Sequence, residues 1–320
     1  MLTVPYREYS AFLRETFGCR VQKITVDAGL SCPNRDGALG VGGCVYCNPL
    51  GSGTGAARRS QSIASQLEAG KLYLGKRYKA KKFLAYFQSF SNTYAPLPVL
   101  KALYEEALAV PGIVGLAIGT RPDCVSDDVL DYLGELSRER AIWLEYGLQS
   151  SHDRTLALLR RGHGVGEFVD ATLRARRRDI PVCAHVILGL PGETRAEMLD
   201  TARFLSSLEI QAVKIHLLYV VRGTILESWF RAGSYTCLTQ EEYVALVGEF
   251  LSLLPPHVII QRLTGDPHPE ELVAPSWALR KRENLAAIRQ GMASRELYQG
   301  KHYVGTAKES GRCDFGKSGH

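Results

Sequence analysis

Apolar and polar residues alternate through Val21-Gln22-Lys23-Ile24-Thr25-Val26, which predicts a first strand. Phe83 to Phe87 is instead a near-continuous apolar run, as expected of a strand buried on both faces. Similar runs at Ile113 to Ile118, Ile142 to Leu144, Val182 to Leu188 and Val213 to Leu218 predict four more strands, and Val258 to Ile260 a seventh. The intervals read as helices. Ile63, Leu67 and the 72–74 region share one helical face, and Pro98 opens a helix with Leu100, Leu103 and Ala107 on one side. Ser126 is placed to cap the next, with Asp127 and Asp128 in its positive first turn and Val129, Leu130, Leu133 and Leu136 inward. Phe168–Arg178 and Thr194–Ser207 are the clearest helices, and Leu226–Arg231, Thr239–Leu254 and Trp277–Gln290 follow. Six strand-then-helix units in succession predict an α/β fold with a parallel sheet that closes or nearly closes, a partial (β/α)6 TIM-type barrel. We place that barrel at residues 1–220, a C-terminal α/β extension packed on it at 221–305, and a disordered tail rich in Gly, Ser and Lys at 306–320.

At 320 residues and 45% hydrophobic content, the chain can bury a large core. No apolar run reaches the roughly eighteen residues needed to span a bilayer, and the start MLTVPYREYS has no apolar signal segment, so a cytoplasmic protein without a membrane partner is expected. Eight cysteines without regular spacing fit reduced thiols in that compartment. The net charge is +6, from 39 basic and 33 acidic residues, and basic residues cluster at 76–82, at Arg174 with Arg176, Arg177 and Arg178, and at 280–282. Such clusters suit a polyanion such as RNA, or else solvated helix ends. No Gly-rich dinucleotide fingerprint joins a predicted strand to a predicted helix, and the one GxxxxGK[ST] match, Gly311 to Ser318, falls in the tail without the strand and helix that a phosphate loop needs.

The chemistry concentrates between residues 31 and 48, where Cys32, Cys44 and Cys47 follow a C-x11-C-x2-C spacing at the end of the first strand. A Cys-x2-Cys turn brings two thiolates to one metal or cluster, and the Gly-rich interval lets the chain return the third. A structural zinc site takes four protein ligands, whereas three thiolates around a [4Fe–4S] cluster leave one iron open. Cys19 as the fourth ligand of a zinc knuckle is the alternative. Glu145, Gly147 and Gln149 alternate and so point to one side of the fourth strand, with Trp143. Lys214 and His216 share one face of the sixth. An interior lysine is costly without an anionic partner, so this pair is the candidate for holding charged groups of a substrate.

Cys32, Cys44 and Cys47, with Tyr46 before the last cysteine, resemble the cluster loop of radical S-adenosylmethionine (SAM) enzymes, in the longer-spaced form of relatives of the Elongator catalytic subunit. The strings CPNRDG, AYFQ, GTRPDC, LEYGLQ, RGH, HVILGLPGE and KIHLL are similar to those of the YhcC/YtqA group, over about Tyr6 to Tyr303. The resemblance implies a [4Fe–4S] cluster on Cys32, Cys44 and Cys47, SAM on its open iron, and reductive cleavage to a 5′-deoxyadenosyl radical. It places Tyr46 at the cofactor, and Ser91-Asn92-Thr93 where the family often has a Gly-Gly-Glu or Gly-Gly-Thr segment for the methionine amino group, a departure from the usual glycines. It further implies Glu145 and Gln149 at the ribose or methionyl group, Arg161 at the carboxylate, with Arg160 as its rival, and His185 against SAM. Its expected partners are transfer RNA and a reducing donor such as flavodoxin or ferredoxin. The expected reaction converts a wobble-uridine carboxymethylaminomethyl group to aminomethyl. The alternatives are another RNA or small molecule as substrate, and a non-catalytic zinc-bearing RNA-binding module.

Overall fold

The computed structural model describes residues 4–48, 51 and 61–305; the tail expected to be disordered lies outside them. Seven parallel strands form one sheet in the order β1 (Val21–Val26), β2 (Lys82–Phe87), β3 (Ile113–Thr120), β4 (Ala141–Gln149), β5 (Val182–Leu188), β6 (Ala212–Leu217) and β8 (Ile259–Arg262). Helices α2 (Ile63–Tyr78), α3 (Leu97–Ala109), α4 (Asp127–Ser137), α6 (Val165–Arg176) and α7 (Arg195–Ser206) make the crossovers, so each strand lies beside its predecessor. A short α5 (Asp153–Leu158) follows β4. Consecutive order with one crossover hand curls the sheet. The curl brings its two edges together: Lys23 Nζ of β1 donates to Gln261 Oε1 of β8 at 2.7 Å. The α/β class and partial barrel are those expected from the pattern.

The two faces of the sheet bury different things. Outward residues such as Ile24, Phe87, Ile118, Leu144, Val186 and Ile215 pack against the helices in the main core. Inward, at the amino ends of the strands, Val21, Leu84, Ala117, Trp143, Cys183, Ala212 and Ile259 form a second apolar cluster. It is plugged from below by α1 (Tyr9–Phe17), whose Phe12 ring meets Trp143 edge-on at 5.9 Å. That helix was not anticipated, because only Phe12 and Leu13 of its nine residues are buried, too few to set a helical period.

After β6, β7 (Val220–Val221) pairs antiparallel with β9 (Leu272–Ala274), and α8 (Ile225–Arg231), α9 (Gln240–Leu253) and α10 (Lys281–Ser294) complete the fold. Three details differ from expectation. Ile63 and Leu67 face inward but Leu72 is 77% exposed, because the inner position of that turn belongs to Gly70, where an added Cβ would stand 2.3 Å from Ile24 Cγ2. Ser126 occupies the N-cap position of α4 without accepting a capping bond. The last helix starts at Lys281; Ser276–Leu279 is a 3-10 turn, separated from it by the non-helical backbone of Arg280.

Trp143 is fully buried between the plug and the sheet, so Trp143→Ala should cost about 3–5 kcal/mol through transfer and cavity terms. Leu72→Ala should stay within about 0.5 kcal/mol. Urea denaturation of the two variants beside the wild type measures both.

Candidate active site

Above the apolar plug the lumen turns polar, and its chemistry follows from which strand positions point inward. Glu145 on β4 is buried completely, an arrangement that costs several kcal/mol unless the charge is paired. It is paired three times. Lys23 of β1 reaches Oε1, Lys214 of β6 reaches Oε2, and His185 Nε2 of β5 lies 3.0 Å from Oε2. Burial pushes the Glu145 carboxyl up, but Lys214, Lys23 and His185 together hold it well below the usual carboxylate range. Lys214 shares that carboxylate with a second ammonium, and burial, reinforced by Lys23 against Glu145, pulls it down to about 7. Tyr86 of β2 lies beneath both cations, its ring centroid 5.0 Å from Lys23 Nζ and 4.1 Å from Lys214 Nζ. Burial also lowers His185 to about 4, so its ring is neutral at pH 7. His216, two residues above Lys214, stacks obliquely on His185 at 5.2 Å and keeps Nε2 buried without a partner.

The cysteine loop stands over the carboxyl end of β1. Its shape is held by side chains rather than by regular structure. Arg35 N donates to Cys32 O at 2.8 Å and Cys47 N to Cys44 O at 2.9 Å, closing the turns that carry the thiols. Asn34 Nδ2 donates to Arg160 O at 2.7 Å and Arg161 O at 2.9 Å, and lies 3.5 Å from Cys44 Sγ. The Arg35 guanidinium donates to Cys47 O at 3.1 Å and packs so tightly on Gly43 that a Cβ there would stand 2.8 Å from Nη2. Arg161, on the loop after α5, points inward: Nη2 donates to Gly147 O at 2.9 Å and to His163 Nε2 at 3.0 Å, while Nη1 lies 3.4 Å from Cys44 Sγ and 3.3 Å from Tyr46 OH. Arg160 is exposed. Gly147 leaves room for these side chains, since a Cβ would stand 2.6 Å from Gln149 Nε2 and 3.0 Å from Arg161 Nη2 and would displace them.

A cavity of about 360 Å³ joins the two regions. Cys32, Cys44, Cys47, Tyr46, Ser91, Glu145, Gln149, Arg161, His185, Lys214 and His216 all line it. Asn92 and Thr93 do not. Asn92 Nδ2 donates to Gly119 O at 2.8 Å and Thr93 Oγ1 to Cys124 O at 2.6 Å, so these two fix the turn that presents Ser91. Lys23, Tyr86 and Arg262 are the residues missed from sequence. For Lys23 a signal existed, a cation alternating with Val21 and Thr25 on the strand that feeds the cysteines.

The basic clusters separate by position. Residues 76–82 end α2 and enter β2, and residues 174–178 end α6, so both sit toward the amino ends of the strands, away from the cavity. Arg174 is held by Asp127 and Asp170, Arg178 by Asp131, and Arg176 by Glu209. Lys281 pairs with cavity-lining Asp266, so its chain neighbours Arg280, itself paired with Glu283, and Arg282 lie near the mouth. Exposed Arg160 and Arg222 adjoin cavity residues Arg161 and Val221.

The residues fit the cluster and SAM that the resemblance implies. Three thiols share a cavity wall with a buried cation, and Arg161 Nε and His216 Nε2 are buried polar atoms left without partners. Among the described residues no three His, Cys, Asp or Glu are gathered as around a single metal ion. The zinc knuckle fails on position. Cys19 precedes the amino end of β1, about 20 Å of strand from the loop at its carboxyl end. No helix of the described residues is long and apolar enough to cross a membrane.

Comparison with known proteins gives the same assignment. Residues 37–205 match the Radical SAM superfamily and residues 210–294 the Radical_SAM C-terminal domain. The uncharacterized protein YtqA of Bacillus subtilis is 41% identical over 95% of this chain and 95% of its own length. Protein YhcC of Escherichia coli K12 is 40% identical over 91% of each. A tRNA uridine(34) acetyltransferase of Dehalococcoides mccartyi is 31% identical over 48% of this chain and 33% of its own. Among solved structures, the archaeal Methanocaldococcus infernus Elp3 superposes with a TM-score of 0.66 at 20% identity, covering 87% of this chain and 64% of that one. With a family match across more than half of its length and near full-length relatives at about 40% identity, this chain belongs to the radical SAM superfamily.

Proposed function

We propose that this enzyme modifies transfer RNA, converting the carboxymethylaminomethyl group of a wobble uridine to aminomethyl. The observation that carries the reading is the cavity itself: thiols and Arg161 on one wall, a cationic floor, and exposed arginines around the mouth. The similarity to a protein named for tRNA uridine(34) supports the polyanion and the position. Cys32, Cys44 and Cys47 would hold the [4Fe–4S] cluster, with a flavodoxin or ferredoxin as electron donor. Tyr46, Ser91, Gln149, Arg161 and His185 would hold SAM. SAM bound at the cluster supplies a hydrogen-abstracting 5′-deoxyadenosyl radical. The chain's own part is position and exclusion of water. Arg161 presents a fixed cation beside Cys44, suited to an amino-acid carboxylate. Glu145 acts from beneath, holding Lys214 and neutral His185 in place. Lys214 and His216 then face the substrate from β6.

Nucleoside analysis of total tRNA from cells with and without the gene tests the reaction; accumulation of carboxymethylaminomethyluridine without the gene is expected, and an unchanged profile sinks the reading. For the cluster, anaerobically reconstituted protein should carry about four irons with a thiolate-to-iron band. Cys32→Ala, Cys44→Ala and Cys47→Ala should each lose it, and Cys19→Ala should keep it. Iron lost from Cys19→Ala would overturn the three-thiol assignment.

The rim makes a separate prediction. Reversing Arg160, Arg222 and Arg282 to Glu should weaken tRNA binding and flatten its salt dependence, whereas reversing Lys76 and Arg77 at the far end should leave both close to wild type. Binding isotherms at several salt concentrations decide it. A base-end effect as large as the rim effect would place the RNA elsewhere.

The buried His185 sets a pH dependence of stability. Its pKa of about 4 in the fold lies below the value near 6.5 of an unfolded chain. Between those values the unfolded state takes up a proton that the fold refuses, so stability falls as pH is lowered through this window, by up to about 3 kcal/mol. Glu145 works in the same direction at still lower pH, because its depressed pKa keeps its contribution until acid protonates it in the fold. Urea midpoints of apo-protein should therefore drop between pH 7 and pH 5. Burial lowers His163 and His216 as well, and they act in the same direction, so His185→Gln should reduce that drop without abolishing it, and an unaltered slope would remove His185 as a source.

A further inference from the structure

The charges around the lumen do not balance: two lysines share one carboxylate, and a further cation on the last strand of the sheet has none. Lys23 and Lys214 share Glu145. Arg262, at the end of β8, lines the same cavity. The two carboxylates that line the cavity are both engaged elsewhere, Glu145 with the lysines and His185, and Asp266 with Lys281. No carboxylate among the described residues pairs with the Arg262 guanidinium.

The backbone shows why Arg262 points inward at all. Ala212 pairs with Ile259 and Val213 with Ile260, but Lys214 then pairs with Arg262, so the ladder skips Gln261. This is a bulge. Ile259 faces the lumen and Ile260 the outer core, so strict alternation would turn Gln261 in and Arg262 out toward the helices. The extra residue places both Gln261, bonded to Lys23, and Arg262 on the lumen side. Two cations in register on adjacent parallel strands repel each other, and an anion lying between them relieves that repulsion. His216 completes the set, with a buried, unpartnered Nε2 one inward position above Lys214.

We propose that Arg262, with His216, is the receptor for a carboxylate carried on the substrate base, and so determines which wobble side chain the enzyme accepts. This rests on the tRNA reading above. A planar guanidinium matches a carboxylate through two parallel hydrogen bonds. A backbone phosphodiester is held by ribose at both ends, whereas a terminal carboxylate on a flexible base substituent can extend alone into a cavity of about 360 Å³ toward Lys214 and Arg262. Lys214 is held by Glu145, and Arg161 is turned to Cys44 and Gly147 O on the cysteine-loop side, which leaves Arg262 as the cation beside Lys214 without a fixed partner.

The test uses reconstituted holoenzyme and three anticodon stem-loop RNAs differing only at the wobble position: 5-carboxymethylaminomethyluridine, 5-aminomethyluridine and uridine. Fluorescence anisotropy should show wild-type enzyme preferring the carboxylate-bearing RNA by about 10–100-fold, the range of charge-assisted hydrogen bonds. Arg262→Gln should bind all three equally, with affinity for the uridine RNA, SAM affinity by equilibrium dialysis and iron content as in wild type. Arg262→Lys, which keeps the charge without the fork, should retain part of the preference. A preference that survives Arg262→Gln, or a loss of SAM affinity in that variant, overturns the assignment. If wild-type enzyme turns over the carboxymethylaminomethyl RNA but Arg262→Gln still discriminates, this inference alone fails. If wild-type enzyme neither discriminates nor turns it over, the tRNA reaction fails and the carboxylate receptor with it.

Discussion

A single buried carboxylate makes the charged interior of this barrel possible. Glu145 is fully enclosed, and a lone ion in that position would cost several kcal/mol. Its two oxygens are claimed by ammonium groups from β1 and β6, strands separated by four others in the sheet, and by the imidazole of β5. The ion network therefore draws opposite parts of the sheet inward as well as neutralising them. Lys23 extends the link to Gln261 on the last strand, so four strands meet through β4. Replacing Glu145 with a neutral residue would leave two ammonium groups facing each other over the Tyr86 ring, a worse outcome than losing a single salt bridge.

The network also divides the lumen into parts with different duties. Below it, Trp143, Leu84 and Ile259 are sealed by α1, and strand spacing is fixed closely enough that a Cβ at Gly115 would stand 2.0 Å from Ala141 O. Above it, little is regular. The cysteine loop is shaped by Asn34, Arg35 and Arg161, whose side chains donate to the backbone carbonyls of Arg161, Cys47 and Gly147. A close-packed base thus positions strand ends whose loops are free to serve ligands.

Much of this was legible in the chain because buried parallel strands announce themselves. β1 and β5 begin and end at the residues that apolar runs and alternation marked, and the inward triplet Glu145, Gly147 and Gln149 does face the cavity. What escaped notice depended on geometry that sequence separation hides. Lys23 looked like the polar side of a half-exposed strand until the curl of the sheet turned that side into a lumen. Arg262 sits where alternation sends a residue outward, and only the bulge reverses it. The arginines of residues 174–178 read as a polyanion surface, but apart from local Asp170 their carboxylates, Asp127, Asp131 and Glu209, come from other stretches of the chain. Asn92 Nδ2 and Thr93 Oγ1 bond Gly119 O and Cys124 O, and of the three residues at this turn Ser91 lines the cavity.

Charges at the mouth and charges in the lumen obey different physics, and the division of labour follows from it. Arg160, Arg222, Arg280 and Arg282 are exposed, so their fields fade over a Debye length of about 8 Å at physiological salt. They can gather a polyanion and orient it, but a phosphate backbone presents the same charge whatever base it carries. Lys214 is buried, and Arg262 lines the cavity beside it. Inside the cavity screening is weak, and an unpaired or mismatched charge costs far more than at the surface. For the tRNA reaction proposed above, discrimination between one wobble side chain and another would belong to the lumen, at the level where Glu145 holds Lys214 and the bulge has turned Arg262 inward.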